Sequence, residues 1–88
     1  MIYDMELTYT FKYELTRLNR RVRHLVNNAM EEILACPTEK PGRIFLMSTT
    51  EEEVVYRYRL PGIYLFYRIP HKRAHIIMTQ LKKLKKDD

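Results

Sequence analysis

Arginine and aromatic side chains alternate through residues 56–68, in the stretch YRYRLPGIYLFYR. Two extended segments meeting at Pro61-Gly62 set Leu60 against Ile63, Arg59 against Tyr64, Arg57 against Phe66 and Val55 against Arg68. Period-2 alternation then sorts the side chains onto two faces. One face carries Tyr56, Tyr58, Leu60, Ile63, Leu65 and Tyr67 and suits a core. The other carries Val55, Arg57, Arg59, Tyr64, Phe66 and Arg68. Guanidinium groups bind phosphate bidentately, and aromatic rings stack on unpaired bases. Arg and Tyr are also ordinary partners on a solvated sheet face. Five of the ten aromatic residues fall within residues 56–67, and that concentration favours a binding surface. Pro-Gly suits a type II turn, whereas tight hairpins prefer the primed types, so a bulge at the turn could shift the pairing.

One reaction is within reach of such a face. RNA carries its own nucleophile, the 2′-hydroxyl, and cleaves to a cyclic phosphate. A protein then has only to orient the nucleotide, move protons and neutralise developing charge. Other chemistries lack their residues. The three histidines, His24, His71 and His75, form no H-E-x-x-H pattern, and there is no C-x-x-C, so neither a metal nor another cofactor is expected. No Gly-rich phosphate loop is present. Cys36, the single cysteine, precedes Pro37 and reads as a packing residue at a helix end. It excludes a disulfide framework and fits a reducing compartment.

Charge points to a polyanion. The net charge is +5. Residues 1–56 hold 7 bases against 9 acids, net −2, and residues 57–88 hold 9 bases against 2 acids, net +7. A basic last third on a mildly acidic body suits nucleic acid or an acidic protein segment. At 88 residues, with 45% hydrophobic and 31% charged residues, the chain is expected to form one domain over 1–88 with a shallow surface site. Residues 82–88 read as a basic tail. No apolar run is long enough to span a bilayer and no signal peptide is recognisable, so cytoplasmic residence without membrane association is expected.

The elements that must position these residues follow from periodicity. Residues 2–9 alternate, with Tyr3, Met5, Leu7 and Tyr9 on one side, as in a half-buried strand. Thr10 is placed to cap a short helix from about Phe11, with Phe11, Leu15 and Leu18 on one face. Asn19 caps a second helix whose apolar stripe is Val22, Leu25, Val26, Ala29, Met30, Ile33 and Leu34, ended by Pro37. Arg20, Arg21 and Arg23 in its first turns oppose the macrodipole. Strands are expected at Arg43–Met47, Val54–Leu60, Ile63–Ile69 and about Ala74–Leu81. Early helices and late hairpins predict the α+β class: an N-terminal strand and two helices on one face of a small, mainly antiparallel sheet of 4–5 strands.

The helical stretch LTRLNRRVRHLVNNAMEEILACP, the hairpin YRYRLPGIYLFYRI and the last strand HIIMTQL with its basic residues together resemble the RelE/ParE toxin superfamily of toxin–antitoxin systems. The resemblance runs over residues 3–86. It implies a compact toxin neutralised by a small acidic antitoxin. RelE-like members cleave mRNA on the ribosome, which would make ribosome and mRNA partners of this chain. ParE-like members inhibit gyrase instead, and a catalytically inactive binding module is a third possibility. Arg57 and Arg59 match positions where RelE-like nucleases carry basic residues, and Tyr64 stands where an arginine is usual. The expected catalytic set is Arg57 and Arg59, with Tyr64 as a substitute proton-transfer group. Arg68, Phe66, Lys82, Lys83, Lys85 and Lys86 are the implied nucleic-acid contacts. RelE-like nucleases often place a Tyr or His beyond the last strand, where this sequence reads LKKLKKDD.

Overall fold

The computed structural model describes residues 2–84, so Lys85 and Lys86 lie outside the described residues. The elements run β1 (Asp4–Leu7), α1 (Tyr9–Thr16), α2 (Arg20–Ala35), β2 (Ile44–Thr49), β3 (Glu53–Leu60), β4 (Ile63–Pro70) and β5 (His75–Lys83). One five-stranded sheet has the order β1-β5-β4-β3-β2. β1 lies parallel to β5, and every other pair is antiparallel. The chain has the expected α+β architecture, with the parallel edge strand following from the helical crossover between β1 and the rest of the sheet.

Local chemistry explains the helix ends. The cap of α1 is Thr8, not Thr10: the Thr8 hydroxyl accepts from the Phe11 amide at 3.2 Å and donates to the Thr79 carbonyl at 3.0 Å. The helix therefore starts earlier than alternation suggests. Tyr9, expected on the inner side of a strand, opens α1 and is 83% exposed. Asn19 caps α2 as expected, accepting from the Val22 amide at 2.9 Å. Arg23 turns back to the end of α1 and donates to the Leu18 carbonyl at 3.0 Å. A cation unfavourable for its own helix start thus serves the preceding helix end. At the far end, Cys36 is extended before Pro37 and is exposed, so it is not the packing residue expected there; Pro37 itself is buried.

The core is a helix–sheet layer. α1 and α2 contribute Phe11, Val26, Ala29 and Ile33, with Leu18 between them, against Ile44, Tyr58, Ile63, Leu65, Tyr67, Ile76, Met78 and Leu81 of the sheet. Of the predicted α2 stripe, Val22 and Met30 pack at its margin, while Leu25 and Leu34 are exposed at its edges. The Tyr67 hydroxyl donates to the Pro37 carbonyl at 2.8 Å and ties the loop after α2 to the core.

The central hairpin has the register expected from the sequence, Leu60↔Ile63 through Val55↔Arg68, without a shift. Gly62, at φ 74°, takes the left-handed position that a type II turn requires. Bulges occur instead in the flanking pairs, between Leu46 and Ser48 of β2 and at Phe66/Tyr67 against β5. Both flanking strands run further than expected, β2 to Thr49 and β5 to Lys83. Lys82 and Lys83 are therefore strand residues rather than part of a tail.

Candidate nucleic-acid interface

The sheet face away from the helices is assembled by register. Arg57 on β3 lies between Phe45 on β2 and Phe66 on β4, and Arg59 pairs with Tyr64, which pairs in turn with Lys82 on β5. Because direct partners share a face, these six side chains form one surface near the Gly62 turn. Alternation separates the two lysines. Lys82 joins this face, whereas Lys83 lines a groove on the helical side with Val22, Leu25 and Leu60.

Arg57 is stacked. Its guanidinium carbon is 5.0 Å from the Phe45 ring centre and 4.4 Å from that of Tyr64, a cation–π contact on each flank. Tyr64 meets Phe66 edge to face, with centroids 6.4 Å apart at 85°. Arg57 Nε is sealed from solvent without a hydrogen-bond partner, while its terminal amino groups are not sealed. Arg59 is exposed, and neither it nor Lys82 forms an ion pair among the described residues. Of the expected set, the structure brings together Arg57, Arg59, Tyr64, Phe66 and Lys82.

Arg68 stands apart. Its NH1 is 2.8 Å from Glu53 Oε1, so its charge is already matched inside the fold. Beyond it, Glu6 and Asp4 of β1 share the face through the pairs with Ile77 and His75. His75 sits between these two carboxylates, its Nδ1 against Asp4 and its Nε2 3.0 Å from Glu6. Hydrogen bonds to Asp4 and then Glu6 hold the His75 pKa above its ordinary 6.5. The face is thus polarised: cationic with free donors by the Gly62 turn, and charge-compensated toward Pro70.

The scaffold under the cationic end is itself tied by charge. Glu32 on α2 accepts from Tyr58 on β3, from Lys40 Nζ at 3.0 Å and from Arg43 NH1 at 2.6 Å. Chiefly because of the Tyr58 hydroxyl, then Lys40 and Arg43, and against burial, the Glu32 pKa is lowered to about 2. Burial first, and then the Glu32 carboxylate, push the Tyr58 phenol up to about 12. The Tyr58 hydroxyl therefore stays protonated and holds β3 against α2. This network fixes the strand whose opposite face carries Arg57 and Arg59.

Nothing in the sequence marks Phe45 as a site residue, since its partner depends on a register interrupted by a bulge. Nor does the sequence show that Glu53 occupies Arg68. Arg57, Tyr64 and Phe66 line none of the principal clefts, whereas Arg59, at the margin of the face, also lines one with Glu32, Arg43 and Tyr58 on the helical side. Among the described residues no cluster of three His, Cys, Asp or Glu is arranged to hold a metal ion. Their helices include none long and apolar enough to cross a membrane.

The sequence matches no protein-family model and no curated protein. Solved structures are similar. A chain of the archaeal RelE–RelB complex from Pyrococcus horikoshii OT3 superposes with a TM-score of 0.85 at 17% identity, covering 99% of this chain and 100% of that one. The isolated E. coli RelE toxin gives 0.78 at 16% identity, covering 98% and 88%. A chain of the intact E. coli RelBE toxin–antitoxin complex gives 0.75 at 16% identity, covering 96% and 99%. This chain has the RelE-like toxin fold.

Proposed function

We propose that this protein is the toxin of a toxin–antitoxin pair and cleaves mRNA on the ribosome with the sheet face by the Gly62 turn. The observation that carries this reading is the convergence of Arg57, Arg59 and Lys82 on Tyr64 and Phe66, with no carboxylate of the described residues paired to the three cations. A cationic patch left unmatched in the fold, beside two aromatic rings set edge to face, suits a phosphodiester with an unpaired base. The likeness in fold to RelE toxins supports the same reading, and the RelB-containing structures support an antitoxin as partner.

In the proposed reaction, Phe66 stacks on a base, and Arg57 and Arg59 flank the scissile phosphate. The 2′-oxygen attacks phosphorus, the bond to the 5′-oxygen breaks, and a 2′,3′-cyclic phosphate and a 5′-hydroxyl result. Tyr64 gives its proton to the leaving 5′-oxygen, and the proton lost by the 2′-hydroxyl replaces it. No water or other co-reactant is consumed. The arginines neutralise charge that grows on the phosphoryl oxygens in the transition state, where fixed donors are most effective. Lys82 and Lys83, with Lys85 and Lys86 beyond the described residues, bind ribosomal RNA. Arg68 joins as a nucleic-acid contact when it exchanges Glu53 for phosphate. The setting for such a reaction is the cytoplasm.

Addition of the protein to a translating extract, followed by primer extension on the message, tests the proposal. New 5′ ends on translated message, absent with Arg57→Ala, are expected. Intact message with undiminished translation refutes the nuclease. Inhibition of gyrase supercoiling in a parallel reaction would move the assignment to a ParE-like mode.

A further inference from the structure

Phe45 belongs to no functional motif in the sequence, and its strand lies at the sheet edge. It is nevertheless the cross-strand partner of Arg57, and its ring lies 5.0 Å from the guanidinium carbon. β2 and β4 flank β3, so the guanidinium is held between the rings of Phe45 and Tyr64. We infer that Phe45 is a positioning residue that clamps Arg57 as an edge-on fork for one phosphodiester group. This inference rests on the nuclease reading for the identity of the anion, but not for the clamp.

Different neighbours occupy different parts of a guanidinium. A guanidinium is planar and weakly hydrated above and below its plane, and its N–H bonds all point outward within the plane. Aromatic rings take the faces and leave the edge. Here the stem-side edge, Nε, is sealed and unpaired, so the unspent donors open to solvent are the two terminal amino groups. That pair matches two non-bridging phosphate oxygens. A free arginine samples many rotamers, whereas one held between two rings presents this fork in a fixed direction before RNA arrives. Arg59, exposed and without such a clamp, adapts to its ligand. The two arginines therefore differ: Arg57 sets the phosphate's position, and Arg59 adds charge.

The test substitutes Phe45 with leucine, which keeps an apolar contact without a π face, and with tyrosine, which keeps the ring. Two readouts are used on the full chain. The first is hydrogen exchange at Arg57 Nε–H by nitrogen-15 NMR, which needs no RNA. Exchange is expected to be slow in the unsubstituted protein and in Phe45→Tyr, and fast in Phe45→Leu. The second is anisotropy of a labelled single-stranded RNA oligonucleotide. Phe45→Leu is expected to weaken binding about fivefold near 0.1 M salt, the worth of about one phosphate contact, with a shallower salt dependence. In an Arg57→Ala background the same substitution is expected to change nothing, because a residue acting through Arg57 has nothing left to position. Fast Nε exchange in the unsubstituted protein, or a leucine penalty that persists without Arg57, overturns the clamp. Slow, Phe45-dependent exchange with no RNA binding by any form upholds the clamp and overturns the nuclease reading alone.

Discussion

Replacing Glu53 with glutamine should strengthen RNA binding. Arg68 lies on the same sheet face as Arg57 and Phe66, yet its NH1 is held 2.8 Å from Glu53 Oε1. The side chains are 40% and 27% exposed, so the pair is at the surface and contributes only about 0.2–1 kcal/mol to stability. Its removal leaves the fold intact and one arginine unmatched. One more phosphate contact steepens the dependence of log affinity on log salt by about 0.7 for a single strand, which at about 0.1 M salt is about a fivefold gain. The assay is fluorescence anisotropy with a short single-stranded RNA across a salt series. Glu51→Gln, in the exposed turn, controls for the change in net charge and should give a smaller gain. Arg68→Ala alone should weaken binding by less than about fivefold, because Glu53 competes with phosphate for Arg68, and it should abolish the gain in Glu53→Gln. If Glu53→Gln leaves both affinity and salt dependence unchanged, Arg68 lies off the RNA path and the cationic surface ends at Phe66.

Three further substitutions probe the scaffold. Glu32→Gln should destabilise the protein by about 1–3 kcal/mol near neutral pH, since it removes the charge that Tyr58, Lys40 and Arg43 all address. The folded pKa of about 2 lies below 4.5, so this stabilisation is full above about pH 4.5 and is lost as pH falls toward 2; urea titrations giving the same difference near neutrality and near pH 3 would contradict it. His75 has the opposite sign: its pKa is raised above 6.5, so its pairing with Asp4 and Glu6 stabilises β1 at lower pH and fades as pH rises through the raised value. His75→Gln should remove that dependence from the hydrogen-exchange protection of residues 4–7. Tyr67→Phe leaves the Pro37 carbonyl without its 2.8 Å donor and should lose about 1–3 kcal/mol, read in thermal melts as about 4–8 °C per kcal/mol.

What the sequence shows and hides follows from the range of each interaction. The hairpin register was legible because a two-residue turn leaves little freedom and a one-residue slip would turn one strand over, burying Arg57 and Arg59 in place of Tyr58, or Tyr64 and Phe66 in place of Leu65. The α2 stripe was legible for the same reason, although its edges, Leu25 and Leu34, extend beyond what the sheet covers. Competition between neighbouring options was less visible. Thr8 and Thr10 are both capping residues, and only the docking of Thr8 on the Thr79 carbonyl decides for Thr8. Arg23 broke a rule for α2 because it satisfies the end of α1. The pairing of Phe45 with Arg57 depends on a loop over 36–43 and on the bulge between Leu46 and Ser48, neither of which alternation reveals. The Glu53–Arg68 pair needed β3 to begin one residue earlier than the apolar run. Charge arithmetic identified a basic C-terminal third, but not that its cations concentrate at one end of a sheet face while Asp4, Glu6 and Glu53 offset those at the other.

The nuclease reading requires Arg57 and Arg59 to act on the reacting phosphate rather than merely to hold RNA. Single-turnover cleavage of message on stalled ribosomes, measured beside ribosome affinity for the Arg57→Ala, Arg59→Ala double variant, separates the two. Loss of transition-state charge stabilisation predicts a rate lower by about 100-fold or more, with affinity changed only several-fold. A rate and an affinity that fall in parallel would contradict that role and leave the two arginines as RNA-binding groups with no part in the chemical step.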